Sequence, residues 1–342
     1  MVFEARCRTT AMGIMPHTDV DRAMSLALSL DVPFWPQLFR VSFLEDTYVQ
    51  AAARFPGVKV DAENRKLTFD SNLFYGQLVD YAESSSSIDF FALRPEHSLT
   101  YHRFLERDLA GYPAIHGQFM GPISFGFKIV DEDLKPILYR EDVRSLLLEF
   151  LRNKVNAQYR ELKAKNANAF VWIDEPGIDL LFSAYSGYTA EMAKADLRAF
   201  FEGVEGPKGV HLCGNPDWDF LLTADLDILS MDAYHWGTRL IRYFDSVKRF
   251  VDRGGILAWG LVPTGIDDFS RESTALLVAK LEEYWNYLVA KGVDKERLLF
   301  QSLLAPATCC LLNADRTETV ERAFAMVQTV SRAIQDKYRL LP

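Results

Sequence analysis

Gly209-Val210-His211-Leu212-Cys213-Gly214-Asn215 is a short apolar run that delivers an imidazole and a thiol two residues apart and then breaks at glycine. Residues i and i+2 of a strand share a face, so one strand end presents both groups to one centre. The pattern recurs. Ala169 to Ile173 ends in Asp174-Glu175-Pro176, Asp227 to Met231 ends in Asp232, and Ile256 to Leu261 ends in Val262-Pro263-Thr264. Arg297 to Leu304 runs into Ala305-Pro306 and the paired Cys309-Cys310. Apolar strands with chemistry at their C-terminal ends, separated by segments of helical period, predict βα units and a parallel sheet.

Working outward, Thr9 to Met15 reads as a first strand ending at Pro16-His17, with Thr18 or Asp19 capping a helix whose apolar face is Val20, Ala23, Met24, Ala27 and Leu30. Val32 to Phe39 reads as the second strand, and Ala114 to Met120, closed by Gly121-Pro122, as the third. A long helix is expected from about Arg140 to Lys165, another with Leu277, Leu281, Tyr284, Trp285 and Leu288 stopping at Gly292, and a last one over about 317–335. Eight strand–helix units point to an α/β fold, a (β/α)8 TIM barrel in one domain over residues 1–342. Residues near 56–96 read as an insertion on one rim with a hairpin, Val58 to Val60 against Leu67 to Phe69. In this fold the C-terminal strand ends form the active face, so His17, His116, Asp174, Glu175, His211, Cys213, Asp232 and Cys309 are expected around one mouth.

The 342 residues suffice for a large core, and 49% hydrophobic with 25% charged residues is the composition of a globular protein. A net charge of −9 without long runs argues against nucleic acid or an anionic membrane surface as partner. No apolar run reaches the roughly 18 residues of a membrane span, and Met1 to Arg8 lacks the apolar core of a signal peptide, so the expected compartment is the cytoplasm. Four cysteines in so long a chain do not form a disulfide framework, and Cys7 reads as core. No glycine-rich phosphate loop is present.

His211 and Cys213, Cys309 or Cys310, and Asp232 come from strands five, eight and six, and make a donor set suited to zinc with one position left for an exchangeable ligand. A thiol in that position would be kept deprotonated at neutral pH and so activated for alkyl transfer. Strand alternation sends Asp174 and Glu175 to opposite sides, and Asp174 is the one expected to face the pocket, as an acid–base group or a holder of an ammonium. His17 and His116 are further catalytic candidates, and Trp35, Tyr234 and Trp236 are expected to line the mouth.

These residues resemble the superfamily that contains uroporphyrinogen decarboxylase, the catalytic half of cobalamin-independent methionine synthase, and the zinc-dependent methylcobamide:thiol methyltransferases. Thr9-Thr10-Ala11-Met12-Gly13-Ile14-Met15-Pro16 is similar to the opening Thr-Thr-x-x-Gly-Ser-x-Pro segment of the synthase. Gly121-Pro122, Ile173-Asp174-Glu175-Pro176 and Cys309 with Leu311 resemble three more of its motifs, and His211-Leu212-Cys213-Gly214 is closer to the His-x-Cys-Gly of the methylcobamide enzymes. The resemblance implies zinc on His211, Cys213 and Cys309. Asp232 stands at a glutamate ligand's place and Cys310 replaces a glycine. It implies Asp174 on the amino group of homocysteine, and Ile14 stands where a serine contacts substrate. Met12, Ile14 and Tyr234 are the further substrate-binding candidates.

It also implies methyl transfer from a methylcorrinoid, such as methylcobalamin or a corrinoid protein, to a small thiol. Homocysteine is the first choice of acceptor and coenzyme M the second. A folate-binding N-terminal half is missing from this length of chain, which favours the corrinoid donor, and the missing Arg-Gln-Ala-Gly-Arg segment disfavours the decarboxylase. The alternatives are a metal-free tetrapyrrole enzyme and a non-catalytic corrinoid-binding module.

Overall fold

The strand-rich runs pair in parallel because each is followed by a helix that carries the chain back over the sheet. A short β1 (Arg8–Thr9) precedes an antiparallel hairpin, β2 (Val58–Asp61) and β3 (Lys66–Phe69). Then come β4 (Ile115–Met120), β5 (Ala169–Asp174), β6 (Lys208–Leu212), β7 (Ile228–Asp232), β8 (Ile256–Val262) and β9 (Ser302–Pro306). The structure, a computed structural model, describes residues 2–182, 187–309 and 312–341. Its main sheet has seven parallel strands in the order β1-β9-β8-β7-β6-β5-β4, and β2 and β3 stand apart. Cys310 lies outside the described residues.

Alternation divides the apolar residues between two faces. Phe170, Trp172, Ile228, Ile256, Ala258 and Leu303 pack together with Met12 and Val32. Phe119, Val171, Ile173, Val210, Leu229 and Leu257 join the larger cluster built with the helices. The strands β4, β5, β7, β8 and β9 are buried along their whole lengths, as a sheet covered on both faces requires.

Two expected strands differ. Residues 32–37 form no ladder, only single parallel bridges, Ile14 to Gln37 and Phe34 to His116. They still hydrogen-bond to both edges of the sheet, Val32 N to Thr9 O at 2.9 Å and His116 N to Pro33 O at 3.0 Å. Pro33 and Pro36 remove two donors from this short segment, which is why no ladder forms. Of Thr9 to Met15 only Thr9 belongs to a strand, β1. The start of the eighth strand is also corrected: Lys295–Phe300 is a helix whose Asp294 cap accepts from Arg297 N at 2.8 Å, and β9 begins at Ser302.

The helices follow their sequence signals. Asp19 caps the helix Val20–Leu28, Glu141–Lys163 buries the expected face of Val143, Leu147, Phe150, Leu151, Val155 and Leu162, and Glu318–Tyr338 closes the chain. Thr274–Ala290 ends before Gly292, whose φ of +90° is the left-handed turn expected there. No described helix is long and apolar enough to cross a membrane.

Candidate metal centre

β5, β6 and β7 set the level of the site. Parallel register places Asp174 beside His211 and His211 beside Ser230 on three adjacent strands, with Asp174 and His211 at or next to the C-terminal ends of theirs. His211 Nε2 lies 3.2 Å from Cys213 Sγ and 3.8 Å from Cys309 Sγ, and the two sulfurs are 3.8 Å apart. These three donor atoms lie within 4.8 Å of one another. The edges of a tetrahedron around zinc with bonds near 2.3 Å are about 3.8 Å long, so the observed spacings fit the metal and its preference for nitrogen and thiolate.

Each ligand arm is fixed by its surroundings. His211 Nδ1 meets Ser230 Oγ at 2.8 Å. That bond orients the ring and leaves Nε2 turned to the sulfurs, as an outer partner of a ligating histidine does. Gly214 lets the Asp179 carboxylate pack where a Cβ would stand, and Asp179 accepts from Asn215 N at 3.1 Å. The indole of Trp236 donates to Cys213 O at 3.2 Å. Cys309 follows β9 on a loop gripped at Ala307 N to Val262 O (2.8 Å) and between the hydroxyls of Thr308 and Thr264 (3.0 Å). Hydrogen bonding with Cys309 and the His211 imidazole draw the Cys213 thiol well below its usual range, against the effect of burial. This is the environment of a thiolate ligand.

Asp174 is buried and its carboxylate accepts no hydrogen bond from a described residue; burial pushes it up to about 7. Its neighbour Glu175 points the other way and is fully engaged, accepting from Ile123 N at 3.0 Å, Ser124 N at 2.8 Å and Ser124 Oγ at 2.6 Å. Glu175 thus ties β5 to the start of the helix Pro122–Lys128, and Asp174 is left facing the centre.

The remaining candidates sit elsewhere. Asp232 is outside the three-residue cluster. Its carboxylate caps the helix Ala233–Leu240 through His235 N at 3.0 Å and meets His235 Nδ1 at 2.7 Å. His116 is enclosed between the rings of Phe34 and Phe170, with centroids at 5.4 and 5.1 Å, and its Nε2 meets Thr10 Oγ1 at 2.9 Å. Burial lowers it to about 3, so it is neutral at pH 7. His17 is buried against Glu321, Nε2 to Oε1 at 3.3 Å, and Glu321 in turn pairs with Arg22. Met12 is in the inner apolar cluster and Ile14 bridges Gln37.

Tyr234 donates to Glu272 at 2.8 Å under the ammonium of Lys280, 3.7 Å from its ring centre. Trp35 is fully buried, its indole donating to Gln158 at 3.4 Å, so it does not line the mouth. Ser230 and Tyr48 escaped the sequence reading. Ser230 was legible, two residues before Asp232 on one strand. Tyr48, half-buried, has Asp174, Glu175 and Cys309 as well as the nearby Asp46 as its charged neighbours, and no sequence signal links it to the first three.

No protein-family model matches the chain, and no curated protein matches its sequence. Among solved structures it is similar to a B12-independent methionine synthase from Shewanella sp. W3-18-1 in complex with selenomethionine, at 13% identity and TM-score 0.45, over 67% of this chain and 64% of that one. A putative vitamin-B12 independent methionine synthase from Listeria monocytogenes gives 12% identity and TM-score 0.41, over 66% and 69%. The chain thus spans less than two thirds of the length of the first. Likeness at this level leaves the function to the geometry of the site.

Proposed function

We propose that the chain is a zinc-dependent methyltransferase whose acceptor is a small thiol, homocysteine first, and that residues 32–37 complete a (β/α)8 barrel around it. The observation that carries the reading is the convergence of His211, Cys213 and Cys309 within 4.8 Å beside a buried carboxylate that accepts from no donor among the described residues. The three residues would hold zinc, which supplies a positive centre that keeps a bound thiol deprotonated at neutral pH.

The chain's own groups do the rest. Ser230 fixes the imidazole, and Trp236 and Asp179 fix the loop bearing Cys213. Asp174 binds the ammonium of an amino-acid thiol. That cation would restore the ionised carboxylate which burial disfavours, so binding and ionisation reinforce each other. His211 and Asp174 are buried and Cys213 and Cys309 half-buried, which limits the water that would compete for the methyl group. The donor suggested by the sequence resemblance is a methylcorrinoid.

The test is metal content followed by methyl transfer. Purified protein is expected to carry about one zinc per chain and to methylate homocysteine faster than coenzyme M, with Asp174→Asn raising the KM for homocysteine about tenfold or more. Methylcobalamin and methyltetrahydrofolate, offered in parallel, identify the donor. Absence of zinc after metal addition, or transfer to neither thiol from either donor, would overturn the reading.

A further inference from the structure

Beside the loop that carries Cys213 lies a cleft of ≈ 320 Å³ lined by Asn215, Pro216, Arg239, Arg242 and Tyr243. It adjoins the metal centre through Trp236. The indole that donates to Cys213 O at 3.2 Å has the Arg239 guanidinium 5.9 Å from its ring centre. Arg239 and Arg242 are three residues apart on consecutive helical segments, Ala233–Leu240 and Ile241–Tyr243, a spacing that puts side chains on one side.

The side chain of neither arginine makes an ion pair or hydrogen bond to another described residue. Neighbouring arginines behave differently: Arg249 pairs with Asp219 at 3.5 Å, and Arg253 donates to the carbonyls of Ala224 and Leu226. Asp179, beside the lining residue Asn215, accepts from its backbone N at 3.1 Å and pairs with neither arginine. In a chain with 47 acidic against 38 basic residues, two adjacent arginines without an acidic partner mark a place for an anion from outside. Guanidinium forks match the planar or tetrahedral oxygens of carboxylate, phosphate and sulfonate groups, and Tyr243 adds a hydroxyl donor at the same wall.

We propose that this cleft is an oxyanion subsite, in which Arg239 and Arg242 hold a carboxylate, phosphate or sulfonate borne by a substrate whose reactive end reaches the metal centre. The assignment to a substrate rests on the methyltransferase reading; the binding of the anion does not. The anion belongs to the methyl donor or to the thiol acceptor, and the two sources separate by experiment.

Inorganic phosphate is the probe. Its binding is followed by calorimetry for the wild type, for the double variant Arg239→Gln/Arg242→Gln and for the paired-arginine control Arg249→Gln, with zinc determined on each. Wild type and control are expected to bind phosphate about tenfold or more tightly than the double variant, with zinc equal in all three. No phosphate binding by the wild type, or equal binding by the double variant, overturns the subsite. In the methyl-transfer assay the double variant is expected to raise the KM of one substrate only. A rise for the donor assigns the anion to the donor, and a rise for the acceptor assigns it there. An unchanged KM for both overturns the substrate role. Zinc-free, inactive wild type that still binds phosphate through these arginines would overturn the methyltransferase reading and leave the subsite standing.

Discussion

His116 and His211 occupy comparable places, on strands β4 and β6 with fully buried rings, and their surroundings make them different groups. Two aromatic rings enclose His116, and it stays neutral. His211 has two thiols at one nitrogen and a serine at the other, and although burial opposes its charge, Cys213 and its negative neighbours hold it above its ordinary value. A histidine on a strand of this sheet is therefore defined by the chemistry of the adjacent strand ends. The β4 side of the sheet is packed, and the β5–β7 side gathers the candidate metal ligands.

The largest effect that could break this contrast is on metal content. His211→Ala is expected to lose zinc altogether, from about one per chain to none, while His116→Leu keeps it and costs about 1–2 kcal/mol of stability through the lost bond to Thr10. Metal analysis and denaturant titration of the pair would refute the contrast if both variants lost zinc. A finer cut comes from Ser230→Ala, which removes only the outer partner of His211. Zinc affinity should fall about 10–100-fold, read by competition with a chelator.

Lys154 sharpens the view of the packed side. Its ammonium lies over the rings of Phe119 and Phe150, at 5.7 and 5.3 Å, with Arg54 and Arg94 as charged neighbours. Burial lowers it to about 7. An unfolded lysine titrates near 10.4, so between these values the unfolded chain binds more protons and stability must rise with pH. The rise from pH 7 to pH 9 is expected to be about 2 kcal/mol in the wild type, seen in denaturant midpoints, and to vanish in Lys154→Met. Equal slopes for both proteins would show that Lys154 keeps its charge. The smallest effect is expected of Asp232→Asn, whose carboxylate is engaged by His235: zinc affinity within about twofold of wild type. A loss comparable to that of Cys213→Ala would instead make Asp232 a ligand.

The sequence is most informative where one physical demand acts alone. β5 and β8 are apolar runs with punctuated ends, and they lie where that pattern places them. The His211-x-Cys213 pair needs only strand geometry and a bend, and both are present. Reading is harder where two demands ask for the same residue. A carboxylate at a strand end serves equally as ligand or as helix cap, and the bonds from His235, three residues on, show Asp232 acting as the cap. Val32 to Phe39 looks like a strand by hydrophobicity, yet its prolines limit it to single bridges. Trp35 could have been rim or core by type, and the helix carrying Gln158 makes it core. The approach of Cys309 to His211, 98 residues away in the chain, depends on β9 and the Thr264 contacts and has no local sequence signal.

The central claim is that His211, Cys213 and Cys309 share one zinc ion. X-ray absorption at the zinc edge of the loaded protein tests it most directly. Shared ligation gives two sulfur neighbours at about 2.3 Å and one imidazole nitrogen at about 2.0–2.1 Å, with a third sulfur appearing when homocysteine is added. A shell of oxygen and nitrogen alone, unchanged by the thiol, would contradict it.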